Sequence, residues 1–166
     1  MKEKEAVLVS ACLLGFCCRY DGKEKHYPDI DNIFEICHPV PICPEQLGGL
    51  ATPRPPAERT GDRVMTENGA DVTEAYEKGA KEAVKAADLY GCRFALLKEK
   101  SPSCGSGKIY DGTFTRTLRE GDGTAARLLK AKGIRVYGES QTEALIKEIT
   151  AVLNCYKLSQ QKENEQ

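Results

Sequence analysis

The chain has 166 residues, 40% hydrophobic and 30% charged, which is enough for one domain with its own hydrophobic core. A net charge of -1 excludes bulk electrostatic attraction as a basis for nucleic-acid or membrane binding. No apolar run approaches the ~20 residues of a spanning helix. The charged start Met1-Lys2-Glu3-Lys4-Glu5 leads straight into a strand-like run, without the apolar middle of a signal peptide, so a cytoplasmic location is expected.

Residues 6–11 are short, apolar and β-branched, and read as a central strand buried on both faces. A loop follows from Cys12 to Gly22, with helical character in its first turn. A short helix is predicted from Asp29 to Ile36. The second strand covers residues 39–43, and Pro39 and Pro41 restrict it to a short edge piece. Gly48-Gly49 and Thr52-Pro53-Arg54-Pro55-Pro56 then make a stiff loop of the kind kept for function. Arg63-Val64-Met65 with Asn68-Gly69 predicts a small hairpin. A long helix opens at Asp71, with Glu74 at capping-box spacing, and stops at Gly91.

The third strand, residues 94–98, runs into Ser101-Pro102-Ser103-Cys104-Gly105. Residues 108–115 read as a hairpin about Asp111-Gly112. A helix from about Asp122 to Lys132 ends at Gly133, and Ile134-Arg135-Val136-Tyr137 is the fourth strand. Ser140 and Glu143 have capping-box spacing before a last helix carrying Leu145, Ile146, Ile149 and Leu153 on one side. Strands alternating with helices predict an α/β fold, with one domain over residues 1–156 and a polar, frayed tail over 157–166. The expected sheet is mainly parallel and Rossmann-like, flanked by helices, with small β-hairpins beside it. Ligands in such sheets bind beyond the carboxyl ends of the strands.

Eight cysteines are many for a chain in a reducing compartment, where they point to metal binding or catalysis. Cys37, Cys92 and Cys155 read as small buried hydrophobes. Cys12, Cys17, Cys18, Cys43 and Cys104 lie in loops among Gly, Pro, Ser and charged residues. Three of them, Cys12, Cys43 and Cys104, follow predicted strand ends and so share one rim of the sheet. Structural zinc usually shows Cys-x-x-Cys pairs, and the chain has none. A Cys–His nucleophile has only His26 and His38 to draw on, and His38 reads as a strand-end or surface residue. Three thiolates from three strand ends suit an iron–sulfur cube, with one iron left open as a Lewis acid.

Several stretches carry a resemblance. These are Val9-Ser10-Ala11-Cys12-Leu13-Leu14-Gly15, Cys18-Arg19-Tyr20-Asp21-Gly22, Cys43-Pro44-Glu45-Gln46-Leu47-Gly48-Gly49-Leu50, Thr52-Pro53-Arg54 and Ser101-Pro102-Ser103-Cys104-Gly105. Asp71-Val72-Thr73, Ile109-Tyr110-Asp111-Gly112-Thr113-Phe114 and the Gly133-Ile134 turn extend it. Together they resemble the thiouracil desulfidase family, formerly a domain of unknown function, over about residues 6–140. The resemblance implies non-redox removal of sulfur from 2-thiouracil or a related thiolated pyrimidine, giving uracil and sulfide, on the open iron of a 4Fe-4S cluster. It also implies Cys12, Cys43 and Cys104 as cluster ligands. Cys18 is the rival ligand, otherwise a thiol packed beneath its loop, and Cys17 is incidental.

For Glu45, two residues after Cys43, the resemblance implies the general base, against a helix first-turn carboxylate as the plainer reading. It implies Ser101 as the hydroxyl aimed at the ring or the water, with Ser103 bonding the loop backbone. Arg19 and Arg54 are expected in ion pairs with Asp21, Glu45 or Glu58. The partner is then a small thiolated pyrimidine, with no membrane partner and no strong nucleic-acid signal. The alternatives at this point are a cluster-based sulfur carrier or a non-catalytic zinc- or iron-binding module.

Overall fold

The computed structural model describes residues 4–164. The chain begins with β1 (Glu5–Ser10), then one 3-10 turn at Ala11–Leu14 and another at Pro28–Glu35. It continues through β2 (Cys37–Ile42), α1 (Pro44–Leu47), β3 (Ala57–Thr60), β4 (Arg63–Thr66) and α2 (Thr73–Tyr90). It closes with β5 (Phe94–Leu97), β6 (Lys108–Tyr110), β7 (Leu118–Glu120), α3 (Thr124–Ala131), β8 (Arg135–Gly138) and α4 (Thr142–Asn164). No helix among the described residues is long and apolar enough to cross a membrane.

The main sheet has four strands in the order β2-β1-β5-β8, and every pairing is parallel. Period-2 alternation divides β1 between two cores. Leu8 points to one side, with Val40, Ala95 and Leu97, under the small residues Ala80, Ala83 and Ala87 of α2 and Leu129 of α3. Val7 and Val9 point to the other side, with Phe94 and Leu96, and meet Ile30, Ile33, Leu145 and Ile149. The expected parallel α/β sheet with helices on both faces is what forms. β2 is an edge strand, as its two prolines require.

Some local signals form as read and others are taken by different partners. The first hairpin turns at Gly61-Asp62, between β3 and β4, while Asn68-Gly69 closes a second tight turn in which Met65 bridges Asp71. Asp111-Gly112 does not close a two-residue hairpin; β6 pairs β7 across a loop of residues 111–117. Asp71 Oδ1 takes both the N–H and the hydroxyl of Thr73, and no side chain caps α2. Ser140 bonds Glu99 rather than forming a capping box. The polar segment from Lys157, read as a frayed tail, continues α4 to Asn164, and residues 165–166 lie outside the described part. Cys155 is exposed, whereas Cys37 and Cys92 are buried as expected.

One contact sets the position of α1. Gly48, just past its end, lies against the Ala75 carbonyl of α2, and Gly79 of α2 lies against the Pro44 carbonyl. A side chain at either glycine would overlap backbone. The two helices meet backbone to backbone, which fixes the position of Cys43 and Glu45 on either side of Pro44. Ala in place of Gly inside a helix ordinarily gains up to ~1 kcal/mol. Here Gly79→Ala is expected to lose about 1–3 kcal/mol through overpacking. Urea unfolding followed by circular dichroism checks this; a gain in stability would contradict the close approach.

Candidate active site

β2, β1 and β5 are neighbours and run the same way, so their carboxyl ends open onto one rim. Ser10 is in register with Ile42, so β1 and β2 end level with each other. Cys12 follows β1 on the 3-10 turn, and Cys43 follows β2 in extended backbone just before α1. Cys104 comes from the turn after β5. All three line a cavity of about 590 Å³, and so do Cys18, Glu45, Arg54 and Ser101. The rim inferred from topology therefore assembles. Cys17, by contrast, is exposed and lies outside this cavity.

The thiols form a connected set. Cys18 lies between Cys12 and Cys43. Its hydrogen bond with Cys12, aided by burial, pushes its thiol up to about 11. Hydrogen bonding with Cys18 and burial push the Cys43 thiol up as well. Burial pushes Cys104 up to about 12, against the opposing pull of the Ser10 and Ser103 hydroxyls. These cysteines form no disulfide, and a metal that takes them as thiolates releases protons on binding. No three His, Cys, Asp or Glu side chains among the described residues gather tightly enough to share one ion. Soft thiols delivered from separate elements suit instead a centre with several metal atoms, each taking one sulfur.

Glu45 sits beside this set and is held from three directions. Arg54 Nε and Nη2 lie 2.6 and 2.5 Å from Glu45 Oε2. Ser103 Oγ donates to Glu45 Oε1 at 3.0 Å. The Tyr76 side chain, from α2, lies beside the same carboxylate; burial, then the Glu45 charge, holds its phenol well above its ordinary range. Burial works against the Arg54 charge, but Glu45 outweighs it and raises the guanidinium further. Arg54 also donates to the Cys18 carbonyl at 3.0 Å, the Ala51 carbonyl at 3.2 Å and Thr52 Oγ1 at 3.0 Å. One arginine thus ties the Cys18 loop to α1. The expected ion pairs form, the second being Arg19 with Asp21 at 3.2 Å.

Ser101 takes the loop-backbone bonds expected of Ser103, while Ser103 turns to Glu45. Ser101 Oγ accepts the backbone N–H groups of Ser103 and Cys104, at 3.2 and 3.1 Å. Ser103 Oγ reaches Glu45 and lies 3.6 Å from Cys104 Sγ. The two hydroxyls are 3.1 Å apart. The first turn of α3 holds this turn in place: Thr124 N donates to Pro102 O and Ala125 N to Ser103 O, each at 2.9 Å. Gly105 has no room for a side chain, since an added methyl would sit 2.7 Å from Ser101 O. Ser10 is structural, its Oγ accepting Lys98 N at 2.9 Å.

Tyr76 was not singled out in the sequence, and Ser103 was expected only to bond its loop backbone. Nothing local marks the Tyr76 hydroxyl as facing a carboxylate.

The Arg54 side chain is 7% exposed and that of Glu45 12%, so each depends on the other. Removing one partner of a buried pair costs about 3–5 kcal/mol, because the other is left uncompensated. Arg54→Gln is expected to lose most of that range. The Glu45→Gln/Arg54→Gln double variant should recover part of it. Urea unfolding of the four proteins measures the coupling, and additive losses would contradict it.

Three comparisons with known proteins show what this chain is similar to. The family model described as 2-thiouracil desulfurase matches residues 7–141. The uncharacterized protein YbbK of Bacillus subtilis (strain 168) is 40% identical over 150 residues, covering 84% of this chain and 99% of that protein. A solved structure of the 4Fe-4S-dependent thiouracil desulfidase TudS is 46% identical, with a TM-score of 0.84, covering 89% of this chain and 99% of that one. With most of its length matched by the family model, and with its strand-end cysteines and Glu45 gathered at one cavity, this chain belongs to the 2-thiouracil desulfurase family.

Proposed function

We propose that the protein is an iron–sulfur-dependent desulfidase that converts 2-thiouracil, or a related thiolated pyrimidine, to uracil and sulfide. The observation that carries the reading is the convergence of Cys12, Cys43 and Cys104 with Glu45 in one cavity large enough for a small ring. The 46%-identical TudS, a 4Fe-4S-dependent thiouracil desulfidase, supports it. Cys12, Cys43 and Cys104 would hold a 4Fe-4S cluster through three thiolates, and such a cluster, when bound, supplies a Lewis-acidic iron without a protein ligand, suited to a soft thiocarbonyl sulfur.

The chain's own groups then handle the water and its protons. Arg54 occupies Glu45 Oε2, which leaves Oε1 as the oxygen that takes a proton from the attacking water. Ser101, Ser103 and Glu45 form a line, with Ser101 Oγ to Ser103 Oγ at 3.1 Å and Ser103 Oγ to Glu45 Oε1 at 3.0 Å. Ser101 Oγ already accepts two backbone N–H groups, so its hydrogen is the part available to the ring or the water. A carbon–oxygen bond forms and the carbon–sulfur bond breaks. The sulfur leaves with its electron pair as sulfide, and the ring carbon keeps its oxidation state. On this reading Glu45 and Ser101 are the catalytic residues.

Anaerobic reconstitution with iron and sulfide tests the ligand set. Cys12→Ser, Cys43→Ser and Cys104→Ser are each expected to lose most of the bound iron, while Cys18→Ser retains it. Iron loss in Cys18→Ser with full iron in Cys12→Ser would exchange those two residues. Glu45→Gln is expected to keep its iron and to release sulfide from 2-thiouracil about 10²–10⁴-fold more slowly, the range for losing a general base. Unchanged turnover in that variant would remove the base role.

A further inference from the structure

The loop of residues 111–117, with Tyr110 before it, has no part in the chemistry above, yet it forms one wall of the same cavity. Its alternate residues are braced on the outer side. Thr113 N and Oγ1 donate to Asp111 Oδ1 at 3.0 and 2.6 Å. The Thr113 and Thr115 hydroxyls are 2.6 Å apart, those of Thr115 and Thr117 2.8 Å, and Asp111 N donates to Thr117 O at 3.0 Å. The residues between them, Phe114 and Arg116, line the cavity with Tyr110.

Both hold left-handed backbone, with φ of 58° at Phe114 and 61° at Arg116. A bulky aromatic residue disfavours that region and keeps it only where its surroundings force it. The force comes from Glu58 on β3. Glu58 is 8% exposed, and its Oε2 accepts the N–H groups of Gly112 at 2.9 Å and Phe114 at 3.0 Å. Gly112 allows the loop to lie this close to β3, since an added methyl would sit 2.6 Å from Thr60 Oγ1. A buried carboxylate is thus committed to fixing the direction of one phenyl ring.

We propose that Phe114 determines ring specificity by stacking on the flat face of the thiolated pyrimidine, and that Glu58 is the positioning residue that aims it. The inference rests on the desulfidase reading, which supplies the ring. Aromatic rings stack offset on flat π-systems, and a phenyl group in a preset orientation does so at little entropic cost.

Reconstituted wild-type protein and the variants Phe114→Ala, Phe114→Leu, Phe114→Tyr, Glu58→Ala and Glu58→Gln test this. Three quantities are read: iron content, kcat and KM for sulfide release from 2-thiouracil, and uracil binding by equilibrium dialysis. Phe114→Ala and Phe114→Leu are expected to raise KM and the uracil Kd about tenfold, within the range for losing one base–aromatic stack. Their kcat should change far less and their iron not at all. Phe114→Tyr, which keeps the ring, should bind like the wild type. Glu58→Ala should follow Phe114→Ala, and Glu58→Gln, which keeps an acceptor oxygen, should recover part of the loss. Unchanged uracil binding in both Phe114→Ala and Phe114→Leu would overturn the stacking role and leave the desulfidase reading intact. Iron loss in Glu58→Ala would overturn the positioning role of Glu58. A fully loaded wild type that releases no sulfide would overturn the desulfidase reading and the stacking role with it.

Discussion

The site depends on three adjacent parallel strands ending at the same level. Parallel pairing of β2, β1 and β5 turns three carboxyl ends toward one side, and the register of Ser10 with Ile42 keeps two of them flush. A thiol placed just beyond each end then needs only a short turn to face the same space. The fully buried Leu8, Val9, Leu96 and Leu97 make this rim rigid. Each contributes about 1.5–3 kcal/mol that would be lost if a strand slipped and turned its apolar side chains out. The cysteines are therefore placed by the core.

A second layer of order is polar and long-range. Arg54 joins Glu45, the Cys18 carbonyl and the 51–54 loop, while Tyr76 and Ser103 take further positions on the Glu45 carboxylate. The close packing of Gly48 and Gly79 brings α1 against α2, so Tyr76 and Glu45 can meet. The opposite wall uses the same device, with Glu58 fixing Gly112 and Phe114. Two buried carboxylates thus serve different ends. Glu45 has Arg54 on one oxygen and Ser103 on the other, and Glu58 is spent on backbone.

What could be read in the sequence followed from local cause. Short apolar runs ending in Cys12, Cys43 and near Cys104 fixed the strands and their contents, and Pro39 and Pro41 marked the edge strand. Gly91 at the end of α2 is left-handed, as a helix stop requires. What could not be read depended on partners far along the chain. Asp111-Gly112 carries a turn signal, but Glu58, 54 residues before Gly112, holds the segment open as a loop. Ser101 and Ser103 are equivalent by composition, and only the direction of Glu45 separates their duties. Cys18 follows an irregular loop whose path is held by Arg54, 36 residues away, so its place between Cys12 and Cys43 had no local signal. At the two capping-box positions the side chains have other partners: Thr73, only two residues on, for Asp71, and the distant Glu99 for Ser140.

The central claim is that three strand-end thiols hold a multinuclear iron centre facing Glu45. Anomalous diffraction at the iron edge, from crystals of anaerobically reconstituted protein, tests it most directly. The account predicts about four iron positions in a compact cube. Three should be bonded to the sulfur atoms of Cys12, Cys43 and Cys104, with the fourth turned toward the cavity and free of any protein ligand. A single metal peak shared by Cys12, Cys18 and Cys43 would contradict it.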